Sequence, residues 1–203
     1  SARSKDLLRF VDPVSQQTLA FRPDITAQVG RIATTRLAAA ARPLRISYGG
    51  PVLKLKATQL RPERELIQAG AELVGSDSVA AVVEVIGIAI EALQACGVKS
   101  ITLDLTLPDL VDILSAGPLP MDSAKLEPVK AALDAKDVGS LVLAGGAAFL
   151  PLVTAAGPVG SAISALRAMG LGDDLEARFT ALEAIAAAVG DGVRVTLDPT
   201  ERH

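Results

Sequence analysis

Arg64-Glu65-Leu66-Ile67-Gln68-Ala69-Gly70-Ala71-Glu72-Leu73-Val74 decides the fold, because it reads as a strand with period-2 alternation and not as a helix. Ile67, Ala69, Ala71 and Leu73 fall on one face, and Gln68, Gly70 and Glu72 on the other. Two polar side chains flanking a glycine leave a shallow slot where a small ligand can approach the backbone. The alternative is the solvated face of a half-exposed antiparallel sheet. Spacing alone leaves both readings open.

Working outward, Leu7 to Val11 and Thr18 to Arg22 are short apolar runs separated by Asp12, Pro13 and Ser15, the pattern of a hairpin. Thr26 is placed to cap a helix carrying Val29, Ile32, Ala33, Leu37 and Ala40 at helical spacing. Leu44, Ile46 and Tyr48 alternate with polar residues as a strand. Gly49, Gly50 and Pro51 punctuate it as a turn, and Val52 to Lys56 resumes in extended form, which predicts a second antiparallel pair.

Gly75 ends the deciding strand, Ser76 to Ser78 supply caps, and residues 79–95 form a helix apolar nearly all round, which is expected to be buried and to stop at Gly97. Ile101, Leu103 and Leu105 make a further strand. From Asp109 the chain is Ala-rich and helical with Gly and Pro breaks, before Val193 to Leu197 returns to strand character. Strands first and helices after predict an α+β fold built on an antiparallel sheet, with a helical insertion subdomain. The expected division is a core over 1–107, an insertion over 108–191 and a return strand over 192–203.

The chain has 203 residues, 50% of them hydrophobic, enough to bury a core. Its 20 basic and 23 acidic residues leave a net charge of -3, and it has no Trp and one Tyr. That balance argues against nucleic-acid binding, which needs phosphate-neutralising cations and aromatic platforms. The apolar stretches fall short of the roughly 20 residues that cross a bilayer. A single cysteine, Cys96, excludes an internal disulfide and fits a reducing, cytoplasmic compartment; at the end of an apolar helix it is assigned to packing. The chain opens without a basic-then-apolar leader and reads as part of a longer polypeptide.

The only histidine is His203, so nucleophilic triads lack a base, and Cys/His metal sites are excluded by count. No calcium-loop spacing or phosphate loop occurs, and neither a metal nor a cofactor is expected. Gly145-Gly146 reads as a turn. Asp173 and Asp174 complement the dipole of a helix start.

Taken in order, Phe21-Arg22-Pro23-Asp24-Ile25-Thr26, Tyr48-Gly49-Gly50-Pro51-Val52-Leu53-Lys54 and Gln68-Ala69-Gly70-Ala71-Glu72-Leu73-Val74-Gly75 resemble the histidyl-tRNA synthetase catalytic core over residues 5–106. The resemblance implies a class II aminoacyl-tRNA synthetase-like sheet and a histidine pocket lined by Asp24, Thr26, Gln68 and Glu72. It also sets Lys54 and Lys56 where the family has the Arg and Glu that hold the α-phosphate and adenine of ATP. Replacing a bidentate guanidinium by an amine, and an acceptor by a cation, marks a degenerate ATP site.

An amino-acid half without its nucleotide half is similar to the regulatory subunits of ATP phosphoribosyltransferase, as is the loop Gln59-Leu60-Arg61-Pro62-Glu63-Arg64. That family implies a non-catalytic protein required for the first step of histidine biosynthesis and for feedback by histidine. Its partner is a short-form catalytic subunit in a hetero-oligomer, with self-association. The alternative is a histidyl-tRNA synthetase core fragment. The family's N-terminal dimerisation segment and late Tyr-containing motif have no counterpart here, and His203 lies where that motif is approached.

Overall fold

The computed structural model describes residues 7–56, 62–190 and 192–201, apart from the side chain of Asp174. The loop residues 59–61 and His203, both weighed above, lie outside them. Contact density divides the chain into two units, Ser1–Ile88 and Ala89–His203.

In the first unit, β1 (Arg9–Val11) and β2 (Thr18–Ala20) form the expected antiparallel hairpin, with the Phe10 and Phe21 rings 5.1 Å apart. Asp12 closes the turn by accepting from the Val14 and Ser15 N–H groups. Helix α1 (Thr26–Thr34) buries Val29 and Ala33. It ends earlier than the spacing predicts, because residues past Thr34 continue as turns whose carbonyls, with that of Ala33, accept from the Arg42 guanidinium. Thr26 is the first helical residue and not the cap. Ile25 holds the cap position, with no side-chain cap bond, and its N–H donates to Gln68 Oε1 on β4 at 2.9 Å.

Strands β3 (Leu44–Leu53) and β4 (Glu65–Val74) pair antiparallel over ten residues each, from Leu44 opposite Val74 to Leu53 opposite Glu65. The expected turn at Gly49 and Gly50 is not there; β3 runs straight through both glycines and Pro51. The reason is local. Arg22 Nε donates to the Pro51 carbonyl at 2.8 Å, so Pro51 turns its polar edge away from β4 and its missing N–H costs no ladder bond. A Cβ at Gly50 would come within 2.6 Å of the Arg22 guanidinium, so the glycine gives that side chain room.

Over the first half of β4 the faces are covered in the reverse sense to the hydrophobic pattern, while Ala71 and Leu73 further along are half-buried. Ile67 is 77% exposed, whereas Gln68, Gly70 and Glu72 are half-buried. Helix α1 docks on the Gln68 face. Ile25 and Val29 pack there with Val52, supported by Ile46, Tyr48 and Leu66 from the same face of the pair. Helix α2 (Val79–Ala95) is capped by Ser78, whose hydroxyl accepts from Ala81 N–H at 3.2 Å. Contrary to expectation it is not buried: Ala81 is its one buried residue, and Val82, Ile88 and Leu93 are each at least 40% exposed. A helix apolar all round needs cover on several sides, and the described residues supply little. Cys96, just beyond, is exposed and not packed.

In the second unit, β5 (Thr102–Thr106) lies parallel to β7 (Arg194–Asp198), and the short β6 (Gly157–Pro158) pairs antiparallel with β7. The return strand thus pairs in parallel with β5, a pairing that the expectation of an antiparallel sheet did not specify. A parallel neighbour requires a long crossover, and the helical block between residues 107 and 193 is that crossover. Its helices are α3 (Leu110–Ala116), α4 (Ser123–Asp134), α5 (Val138–Leu143), α6 (Leu150–Thr154), α7 (Val159–Arg167) and α8 (Asp173–Val189). Gly145, at φ +83°, turns the chain after α5 as its position predicts.

The block encloses the largest apolar core of the chain, centred on Leu114, Val129, Leu133, Phe149, Ile163 and Phe179. Arg167 clamps α7 to α8 by forking to Glu176 and Glu183, and Arg178 ties α8 to Asp109. No buried side-chain nitrogen or oxygen among the described residues lacks a partner. Among the described residues, no helix is long and apolar enough to cross a membrane.

Candidate functional site

Three of the four predicted pocket residues meet at the start of α1. Gln68, projecting from β4, accepts from Ile25 N–H through Oε1 at 2.9 Å and donates to Asp24 Oδ2 through Nε2 at 3.1 Å. One amide thus ties both the start of α1 and the Asp24 carboxylate to the strand. Burial of the Asp24 carboxyl favours the neutral form. The donors around it, Gln68 foremost and then the N–H groups of Thr26 and Ala27 and the Thr26 hydroxyl, outweigh that and hold it below the usual carboxylate range. The site therefore presents a fixed negative charge beside an exposed Thr26 hydroxyl.

Tyr48 is the residue that sequence reasoning missed. It stands opposite Gly70 in the register, and its hydroxyl lies 2.8 Å from Thr26 Oγ1. A Cβ at Gly70 would come within 2.5 Å of Tyr48 Cζ, so the ring lies across the glycine. The slot above Gly70 is filled by this ring and is not open to a ligand. The signal was present in the sequence: an aromatic residue in one strand and a glycine in the next, with the aromatic free to cover whatever backbone the glycine bares.

Glu72 is half-buried, two positions further along the same face, and has no hydrogen-bond or ion-pair partner among the described residues. Glu72 and Gln68 are roughly 13 Å apart along the strand, with Tyr48 between them. The Asp24 carboxylate bonded to Gln68 and the Glu72 carboxylate thus lie on either side of an aromatic ring, an arrangement suited to a cationic group.

At the degenerate nucleotide positions, Lys54 Nζ donates to the Pro23 carbonyl at 2.8 Å, while Lys54 O accepts from Arg64 Nε at 3.1 Å. Lys56 is exposed. Beside them, at the outer edge of β3, a cleft of about 390 Å³ is lined by Phe21, Arg22, Pro51, Val52, Leu53 and Glu65. None of the predicted pocket residues lines it. No group of His, Cys, Asp or Glu among the described residues is arranged to hold a metal ion.

Comparison with known proteins supplies the context. A curated ATP phosphoribosyltransferase regulatory subunit from Rhodospirillum centenum is 40% identical over 100% of this chain and 54% of its own length. The chain spans about half the length of the curated relatives it matches. Among solved structures, an ATP phosphoribosyltransferase regulatory subunit/histidyl-tRNA synthetase from Bacillus halodurans superimposes with a TM-score of 0.71 at 24% identity, over 96% of this chain and 53% of that one. A chain of the ATP phosphoribosyl transferase complex from Thermotoga maritima does so with a TM-score of 0.70 at 14% identity, over 95% of this chain and 69% of that one. These likenesses give the fold as the class II synthetase type. The family model described as histidyl-tRNA synthetase matches residues 1–203, and with the Asp24–Gln68 arrangement on its antiparallel pair, the chain belongs to the histidyl-tRNA synthetase family.

Proposed function

We propose that this chain is the central part of a non-catalytic regulatory subunit of ATP phosphoribosyltransferase, required for the first step of histidine biosynthesis and for its feedback by histidine. The observation that carries the reading is the contrast between its two half-sites. The amino-acid side keeps Asp24, Thr26 and Gln68 together at the start of α1, with Glu72 further along the same face of β4 and the Asp24 carboxylate held ionised. On the nucleotide side, Lys54 spends its ammonium on the Pro23 carbonyl. An amine so engaged offers a phosphate no bidentate fork, and Lys56 puts a cation where adenine needs an acceptor. The name carried by the 40%-identical relative supports the same assignment.

In this reading histidine is the effector, with its ammonium or imidazolium group drawn to the carboxylates. Phosphoribosyl chemistry belongs to a short-form catalytic subunit in a cytoplasmic hetero-oligomer that also self-associates. Histidine regulates by binding one state of the assembly better than the other, with a coupling of about 1 to 3 kcal/mol. The division into a synthetase-like core over 1–107, a helical insertion over 108–191 and a return strand over 192–203 is part of the proposal. A histidyl-tRNA synthetase core fragment, the other reading, lacks support from the two lysines.

Mixing the full-length protein with a short-form catalytic subunit and assaying phosphoribosyl transfer tests the proposal. Stimulation of the partner, reversed by histidine, is the expected result. A partner whose rate is unchanged on mixing would refute it.

A further inference from the structure

We propose that Tyr48 is a positioning residue of the amino-acid site: lying over Gly70, it orients the Thr26 hydroxyl, which stands beside the Asp24 carboxylate, toward a ligand's ammonium group. The inference rests on the histidine-binding reading above and names the residue that sets the polar edge of that site.

The strand register sets Tyr48 directly opposite Gly70, and only a residue without Cβ lets the phenol lie flat across the neighbouring strand. The ring is anchored from above by the cluster of Ile25 and Val29, so its hydroxyl reaches Thr26 at 2.8 Å from a fixed base. Either hydroxyl can donate in this contact; a phenol, the stronger acid of the two, is the better donor, and donation from Tyr48 leaves Thr26 Oγ1 a lone pair for the ligand.

Tyr48 thus holds Thr26 at the start of α1, where Gln68 Nε2 donates to the neighbouring Asp24 carboxylate and Gln68 Oε1 is occupied by Ile25 N–H. The exposed Thr26 hydroxyl, so held, has a lone pair to offer, and an ammonium group supplies only donors. Tyr48 touches no ligand in this arrangement; it acts through Thr26.

A double-mutant cycle on the full-length protein tests this, with histidine titrated calorimetrically into the wild type, Tyr48→Phe, Thr26→Ala and the double variant. Tyr48→Phe keeps the ring and removes only the donor. It should weaken histidine binding roughly five- to tenfold, the scale of one net hydrogen bond. The double variant should bind no more weakly than Thr26→Ala, because the two residues act as one unit. Additive losses, or an undiminished affinity in Tyr48→Phe, would overturn the proposal.

Amide hydrogen exchange without ligand gives an independent readout. Thr26 and Ala27, at the helix start that the Tyr48–Thr26 contact holds, should exchange faster in Tyr48→Phe, while Val29 keeps its rate. Unchanged exchange at both would overturn the role of Tyr48. A wild type that takes up no histidine would instead refute the histidine reading, and the exchange rates would still decide the role of Tyr48.

Discussion

Lys54 Nζ donates to the carbonyl oxygen of Pro23 at 2.8 Å, which fastens the segment carrying Asp24 to the end of β3. The neighbouring backbone bond from Leu53 N–H to Arg22 O, at 3.0 Å, runs the same way. Under the proposed reading, the group at the former nucleotide position therefore helps to hold the amino-acid side in place.

Lys54→Met should loosen that fastening. The bond is charge-assisted but exposed, so its loss should destabilise the protein by only about 0.5 to 1.5 kcal/mol. Chemical denaturation will register this as a small drop in midpoint with an unchanged slope. Lys54→Arg should preserve stability better than Lys54→Met.

Gly70→Ala should cost more than an ordinary glycine-to-alanine change in a strand, which is otherwise near neutral or favourable. The new methyl meets the Tyr48 ring, and forcing the ring aside should destabilise by about 1 to 3 kcal/mol. Thermal unfolding of this variant against Gly70→Ala in a Tyr48→Ala background isolates the clash. The penalty should largely vanish when the ring is absent.

Phe149 is 1% exposed in the core of the helical block. Phe149→Ala should remove about 3 to 5 kcal/mol of stability, through lost burial and the cavity left behind. Denaturant unfolding followed by circular dichroism checks this. The effect should fall on the helical signal.

Asp24 gives the pH dependence. Its folded-state pKa lies below the ordinary value of 3.8, because its hydrogen bonds outweigh the burial that opposes them. A group depressed in the folded state contributes stability that is fully present above its unfolded pKa and is lost as pH falls through the folded one. Protonation in acid below 3.8 should therefore release the start of α1. A carboxyl titration by NMR should find the midpoint below that value in the wild type and higher in Gln68→Leu, which lacks the side-chain donor.

The strands around the site were legible because alternation survives in β3 and β4, and the residues to watch, Asp24, Gln68 and Lys54, were visible in short motifs. Periodicity separates two faces but does not say which one is covered. The polar face of β4 is covered because Gln68 binds the start of α1 through Ile25 and Asp24, a contact 43 residues away in sequence that no local pattern records. The parallel pairing of β5 with β7 was hidden for the same reason: Thr102 meets Arg194 across the whole helical block. The continuity of β3 through Gly49, Gly50 and Pro51 depends on Arg22, a side chain from another segment. Helix α2 and Cys96 show the converse error, where apolar composition predicted a burial that the described residues do not provide.

Histidine-dependent exchange of pyrophosphate into ATP, measured on the full-length polypeptide, addresses the division between the two half-sites most directly. With Lys54 bound to Pro23 and Lys56 in place of an acceptor, exchange should stay at background while histidine still binds. Robust exchange that rises with histidine would mean that ATP is held and activated beside these lysines, and the account of a retired nucleotide site would be wrong.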